Sequence, residues 1–312
     1  MIETTPYANS LFEQPWWLDI VAPGEWAEVF VKENDDIIAR FPYTIRKKRI
    51  QMPILTQTLG PWIKPEIREK VRGNSQLSIQ KEIITQMINQ LPRYNSFDVM
   101  FDSANEYILP YRWLGFRYEP SFSYRIKDLS DYQKIENNFH KSVKKNITRS
   151  SKICVIDNDP DPRILYSVME KTFRNQKRKY PFDYEVIKRI VDRTSTINHG
   201  RMFIAKDTDG NVHACSYLIY DEKSAYALLG GADPEYRNSG AKSLVWEQEI
   251  LFASKNSAFF DFEGSNIETI ENFVRQFGGE RVINYRVTKQ PLWAELSDIL
   301  KPRIKRIIGY KI

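Results

Sequence analysis

Cysteine and histidine are scarce in this chain. Two cysteines, Cys154 and Cys215, and three histidines, His140, His199 and His213, are spread over 312 residues. Two thiols exclude a disulfide framework and a cysteine-rich zinc site, and the histidines lack ligand spacing, so no metal is expected. Both cysteines fall inside strand patterns and read as buried, inert thiols. Long apolar runs are missing as well, because no stretch approaches the ~18 apolar residues of a membrane-spanning helix. The N-terminus, MIETTPYANSLFEQPWW, has no basic lead followed by an apolar segment, so no secretory signal is expected and the cytoplasm is the expected compartment. A strong charge bias is also absent. Lys and Arg number 46 against 40 Asp and Glu, and a net charge of +6 over this length does not by itself mark a nucleic-acid binder.

What remains is a globular composition, 42% hydrophobic and 28% charged, on a chain long enough for two domains. Strand and helix patterns interleave, giving an α/β class with mixed sheet. Helices are expected at Phe12–Val21, Leu77–Leu91, Tyr132–Lys152, Ile164–Arg174, Tyr184–Thr194, Lys242–Ser254 and Ile267–Phe277. Strands are expected at Glu28–Lys32 and Ile37–Ile45 around Asn34-Asp35-Asp36, at Phe97–Phe101 and Ser121–Ile126, and at Cys154–Asp157. Met202–Lys206 and Val212–Tyr220 form a hairpin across Asp209-Gly210. Ala225–Gly230, Ala258–Phe262 and Val282–Thr288 complete the strand set. The tryptophans Trp16, Trp17, Trp62, Trp113 and Trp246 are read as core in preference to sugar-stacking surfaces.

The chain also repeats itself. Leu59-Gly60 followed by Pro65-Glu66-x-Arg68 parallels Leu229-Gly230 followed by Pro234-Glu235-x-Arg237, with the prolines 169 residues apart. Phe97-Asp98 followed by Leu114-Gly115-Phe116 parallels Phe260-Asp261 followed by Phe277-Gly278-Gly279, at an offset of 163 residues. The shared order implies one domain copied, with residues 1–128 and 129–312 as the two copies.

The second copy is richer in chemistry. Leu229 and Gly230 end a strand, and Arg237-Asn-Ser239-Gly240-Ala241-Lys242-Ser243 leads from a glycine-containing loop into a helix. Backbone N–H groups at such a turn suit an anion, with Arg237 or Lys242 adding formal charge; a flexible helix entry is the alternative. In Phe259-Phe260-Asp261-Phe262-Glu263-Gly264-Ser265, strand alternation puts Asp261 and Glu263 on one face. One of them could be a base of raised pKa, or could cap a helix or pair with an arginine. Lys141, Lys144, Lys145, Arg149 and Lys152 form a basic helix face, for which Lys145 and Arg149 are taken as substrate contacts. Arg174, Gln176 and Lys177, in the loop after a helix, are candidates for the acceptor side, or close that helix with favourable charge. Tyr226 lies on the strand whose N–H groups would meet an oxyanion.

Strand, Arg-x-x-Gly-Ala loop, helix, strand, helix, glycine, strand resembles the C-terminal part of the GNAT acyltransferase fold, and a duplicated chain of this size resembles the FemABX-like group. Phe260-Asp-Phe-Glu-Gly-Ser, Asn272-Phe-Val-Arg-Gln-Phe-Gly-Gly and His140-Lys-Ser-Val-Lys-Lys-Asn-Ile-Thr-Arg149 carry the likeness. The resemblance implies two tandem GNAT-like domains, with the first degenerate and the second holding the donor. It implies acyl or aminoacyl transfer, from a coenzyme A thioester, to an amine of a cell-envelope or amino-sugar acceptor. Leu229, Gly230, Arg237, Ser239, Gly240, Ala241, Lys242 and Ser243 would then hold the donor, and Asp261 or Glu263 would be the base. Two positions depart from the family pattern: Lys242 stands where the loop has Gly or Ala, and Val274 where a Tyr-x-x-Leu-Gly-Phe signature has its phenol. The first copy keeps that signature as Tyr111-Arg-Trp-Leu114-Gly115-Phe116. The alternatives are transfer from aminoacyl-tRNA, with the basic helix on tRNA or on the pyrophosphate of a lipid-linked precursor, and a catalytically lapsed scaffold. No sustained heptads mark the helical arm of the tRNA-dependent enzymes.

Overall fold

The computed structural model describes residues 2–69, 74–264 and 267–291. Two compact units result, one comprising Phe122–Ile283 and the other Thr4–Ser121 with the chain from Asn284.

The Thr4–Ser121 unit begins with α1 (Pro15–Val21), entered from a short 3-10 turn at Leu11–Glu13. β1 (Trp26–Glu33) and β2 (Asp36–Arg46) form an antiparallel hairpin. Its tip places Asn34 and Asp35 at φ 49° and 69°, the left-handed values that asparagine and aspartate tolerate best after glycine. Three short elements follow, β3 (Arg49–Gln51), β4 (Trp62–Ile63) and α2 (Pro65–Glu69). Next come α3 (Asn74–Gln90), β5 (Ser96–Phe101) and α4 (Leu109–Trp113). β5 alternates inward Phe97, Val99 and Phe101 with outward residues, so one face of the strand builds an aromatic core with Phe41, Tyr111 and Phe116. Trp16, Trp17 and Trp62 are buried as expected. Trp113 is not: it is 57% exposed, with the Lys81 ammonium 5.4 Å from its ring.

The divisions between the units fall within β6 (Arg117–Ile126) and a strand at Glu280–Lys289. The Phe122–Ile283 unit contains α5 (Tyr132–Asn137), α6 (Lys141–Ser150), β7 (Val155–Asp157), α7 (Pro162–Asn175) and α8 (Tyr184–Thr196). It continues with β8 (Gly200–Lys206), β9 (Val212–Tyr220), β10 (Ser224–Ala232), α9 (Ala241–Ala253), β11 (Phe259–Asp261) and α10 (Glu268–Val274), and reaches β12 (Glu280–Lys289). Its strands run in the order β6-β11-β10-β9-β8-β7. All pairs are antiparallel except β10 with β11.

The single helix expected over Tyr132–Lys152 is two. Phe139 turns inward onto Phe277 at 5.3 Å, and the His140 N–H donates to the Gln276 carbonyl instead of continuing the helical ladder. His140 is extended and caps α6 through Ser142. The core gathers around α9, where Trp246 lies within 5.3 Å of Phe262, Phe273 and Phe277. Side chains of that size contribute roughly 2–3 kcal/mol each on burial, so this cluster anchors the helix that follows the glycine loop.

Candidate active site

Both repeats build the same local device, a three-rung parallel strand pair. In one unit Ser224, Ala225 and Tyr226 of β10 face Phe259, Phe260 and Asp261 of β11. In the other, Arg49, Ile50 and Gln51 of β3 face Ser96, Phe97 and Asp98 of β5. The repeated Phe-Asp thus occupies the last two rungs each time. Beyond these rungs the two devices differ. In the Thr4–Ser121 unit the seam is sealed: the Leu59 N–H donates to the Met100 carbonyl at 2.8 Å, and the Met100 N–H meets Met52 Sδ at 3.2 Å. The Phe101 ring covers Gly60 so closely that a Cβ there would sit 2.5 Å from it.

In the Phe122–Ile283 unit β10 runs on to Ala232 after β11 has ended, and a bulge between Ala227 and Leu229 re-aims its backbone. β10 therefore presents an edge from Ala227 onward that β11 does not pair among the described residues, the geometry an extended amide-bearing chain can join. Leu229 is buried and Gly230 half-buried at this edge. A Cβ on Gly230 would collide with Lys242 Nζ and stand 2.6 Å from Ser216 Oγ, so glycine is required by space.

The chain leaves β10 through Asp233, whose carboxylate accepts from the Glu235 N–H at 3.1 Å and pairs with Lys171 at 2.5 Å. A 3-10 turn over Pro234–Ser239 carries exposed Arg237, and Gly240, at φ 81°, opens α9. Ser239 Oγ accepts from the Ala241 N–H at 3.1 Å, and the Ser243 N–H donates to the Gly240 carbonyl at 2.9 Å. α6 supports the loop from outside, since Arg149 Nε donates to the Ser239 carbonyl at 3.2 Å and Asn146 Nδ2 to Ser243 Oγ at 3.5 Å. His213 supports it from below. Its ring lies between Cys154 Sγ (3.2 Å) and Asp207 (3.1 Å) and stacks on Tyr236 of the turn at 4.0 Å.

Lys242 turns inward. Its ammonium lies 4.8 Å from the Trp246 ring, near Gly230, and burial lowers its pKa. Seven residues on, Glu249 is fully buried, and burial raises its pKa against the restraining influence of Lys242 and Ser216.

The two carboxylates at the end of β11 have different surroundings. Asp261 is fully buried and spoken for: it accepts from Ser123 Oγ at 2.5 Å, from the Glu263 N–H at 2.8 Å and from Arg125 Nε at 3.0 Å, and the same guanidinium completes an ion pair through Nη2 at 3.0 Å. Its counterpart Asp98 also holds an arginine, Arg286, but through both carboxylate oxygens, at 2.8 and 2.6 Å. Glu263 stands two residues beyond the last rung, with left-handed backbone at φ 57°. Alternation therefore does not carry it to the face of Asp261. Its Oε1 is buried without a hydrogen-bond partner, and burial, with the Asp261 charge adding repulsion, holds its pKa well above the usual carboxylate range. Gly264, at φ 48°, packs on β6 so tightly that a Cβ would strike the Phe122 carbonyl and lie 2.5 Å from Ser123 Cα. Ser265 lies outside the described residues. At the offset of the repeat, Glu263 corresponds to Met100.

Of the remaining expected residues, Lys145 is exposed on α6, and Arg174, Gln176 and Lys177 are exposed where α7 ends. Lys177 takes φ 56°, and the N–H groups of Gln176, Lys177 and Arg178 close the last turn of the helix. Tyr226 is fully buried with its ring edge-on to Phe259 at 6.0 Å, which seals it from solvent. The tyrosine of the first-copy signature, Tyr111, is likewise core: it is 1% exposed, with its hydroxyl unpartnered. Val274 is buried at the matching place. Sequence reasoning did not find Ser123, Arg125, Asn146 or Glu249. Arg125 lies 136 residues from the carboxylate it holds, and no local signal marks it.

Among the described residues no group of three or more potential ligands forms a metal site, and no helix is long and apolar enough to cross a membrane. The family described as Acetyltransferase (GNAT) domain matches residues 137–258. No curated protein matches the chain. Among solved structures it is similar to FemX (TM-score 0.66, 11% identity, covering 93% of this chain and 94% of that one). It is also similar to the C-terminal domain of a putative lysylphosphatidylglycerol synthetase from Agrobacterium fabrum (TM-score 0.56, 12% identity, 90% and 89% covered). A tandem GNAT protein from the clavulanic acid biosynthesis pathway superposes with a TM-score of 0.51 at 7% identity, with 86% and 83% covered. Such identities speak to fold: the chain has a tandem GNAT fold similar to that of FemX, and residues 137–258, within the second copy, match an acetyltransferase (GNAT) domain.

Proposed function

We propose that the second copy, residues 129–312, transfers an acyl group from an activated donor, a coenzyme A thioester, to an amine of a cell-envelope or amino-sugar acceptor, and that the first copy, residues 1–128, no longer binds a donor. The observation that carries this reading is the unpartnered, buried oxygen of Glu263 where β10 and β11 part. In its ionised form, a carboxylate of raised pKa at that point suits removal of the proton that a neutral amine sheds as it attacks, and the bulged edge of β10 offers N–H groups to the carbonyl under attack. The amine nitrogen bonds to the acyl carbon, the thiolate leaves, and the amine proton passes to Glu263. Arg237 and the N–H groups around Gly240 and Ala241 would meet the donor's phosphates, while Asp261 holds Arg125 and the Glu263 backbone in place. The acceptor class follows from the FemABX-like likeness, and Arg174, Gln176 and Lys177 are the residues proposed to meet it.

Thermal denaturation with acetyl-CoA tests the donor. A rise in Tm at millimolar ligand, lost in Arg237→Ala, is expected. No shift, with Arg237→Ala indistinguishable from wild type, would reject the coenzyme A donor.

A further inference from the structure

Between His140 and Ile156 there is no aspartate or glutamate, while five cations occur: Lys141, Lys144, Lys145, Arg149 and Lys152. All five are exposed, and none is in an ion pair among the described residues. Lys141, Lys144, Lys145 and Thr148 share one stripe of α6, opposite Val143 and Ser150, which are buried, and Lys152 is exposed in the turn that follows the helix. Directly beyond stand two exposed aliphatic residues, Ile153 at 44% and Val155 at 69%. Val155 opens β7, the last strand of its sheet, bonded to β8 alone among the described residues. The next acid, Asp157, is neutralised by Lys206.

We propose that this face docks on an anionic lipid bilayer surface, with the lysine stripe at the level of the headgroups and Ile153 and Val155 entering the interface. Charge complementarity selects a polyanion, and the side chains select which one. Reading of single-stranded RNA uses aromatic or arginine planes on which bases stack, and residues 141–156 contain no aromatic side chain and one arginine. Lysines around exposed aliphatic residues are instead the composition of an interfacial anchor, in which electrostatic attraction and shallow apolar insertion act together. The inference concerns location on a surface and does not depend on the identity of the donor.

Cosedimentation of the full chain with vesicles tests it. Binding is expected to vesicles of phosphatidylcholine with one quarter phosphatidylglycerol, not to phosphatidylcholine alone, and should fall at least tenfold between 50 and 500 mM salt, because added salt screens the attraction. Each charge reversal among Lys141→Glu, Lys144→Glu and Lys145→Glu should weaken it by about fivefold. Val155→Asp should weaken it further, with Val155→Ser as a milder variant if the melting curve moves. Lys47→Glu with Lys48→Glu, a charge change at the exposed tip between β2 and β3, should leave binding unchanged. Equal binding to neutral vesicles, or no loss in the α6 variants, would overturn the proposal. So would tRNA binding abolished by the same substitutions with no vesicle binding, or self-association of the chain that Val155→Asp removes.

Discussion

Asp98 and Asp261 occupy equivalent rungs of the two repeats, and each grips an arginine on the neighbouring antiparallel strand, Arg286 of β12 and Arg125 of β6. A carboxylate that pairs with an arginine at the same rung in both copies is a strut of the duplicated architecture. The proposed chemistry rests instead on Glu263, whose place in the other copy is taken by Met100.

The two struts should differ in worth. Asp261 is fully buried and Arg125 nearly so, whereas Asp98 and Arg286 are 37% and 50% exposed. Asp261→Ala is expected to cost about 3–5 kcal/mol by leaving a buried guanidinium unpaired. Asp98→Ala should cost under about 1 kcal/mol. Urea unfolding of both variants checks this, and equal losses would contradict the burial argument.

Glu263→Gln should leave the folded protein as stable as wild type, since burial already favours the neutral carboxyl. Transfer should drop by about 10²–10⁴-fold. In the wild type the rate should climb with pH as Glu263 ionises and then level off, and the substitution should remove that limb. A Glu263→Gln enzyme with an unaltered pH–rate profile would assign the base elsewhere.

Glu13 gives stability a pH slope. It is fully buried, accepts from the Asn9 N–H at 2.6 Å, and burial raises its pKa to about 8 from an ordinary 4.5. Between those values the folded chain keeps a proton that the unfolded chain has released, so this contribution is complete below pH ~4.5 and is lost as pH rises toward 8. The slope is at most about 1.4 kcal/mol per pH unit. Glu249, raised in the same direction, acts with the same sign. Glu13→Gln should flatten the pH dependence of the urea midpoint without abolishing it, and an unchanged slope would exclude this origin.

Gly230→Ala sets a methyl group against Lys242 Nζ, Ser216 Oγ and the Cys215 carbonyl, the last at 3.0 Å. A loss of roughly 1–3 kcal/mol is expected. Lys242→Ala should recover part of it, because the ammonium is the movable neighbour. A double-mutant cycle with coupling under about 0.5 kcal/mol would show that the two do not share this space.

Much of the fold is legible wherever periodicity and turn chemistry agree. Both hairpin tips, Asn34-Asp35 and Asp209-Gly210, stand where left-handed residues predict them, and α3, α7 and α8 fall on their apolar spacings. β3, β4 and α4 are too short to show a period. The break between α5 and α6 depends on Phe139 finding Phe277, a contact that no local pattern records. At the site, the glycine loop and the carboxylate pair were visible as residue types, but their roles were not. Alternation groups Asp261 with Glu263, and it fails because β11 ends at Asp261 and the next turn is left-handed. Lys242 looks from its motif like a cation for phosphates, yet the helix face it occupies turns it toward Trp246.

Under the proposed function, the sealed seam at Gly60 and Phe101 predicts a stoichiometry. Two copies of one architecture would ordinarily offer two seats, but a phenyl ring and a backbone hydrogen bond already fill the first. Calorimetric titration with any donor should therefore saturate at one equivalent per chain. Any compound shaped to the open seam would meet a single target on a molecule that carries its own closed control.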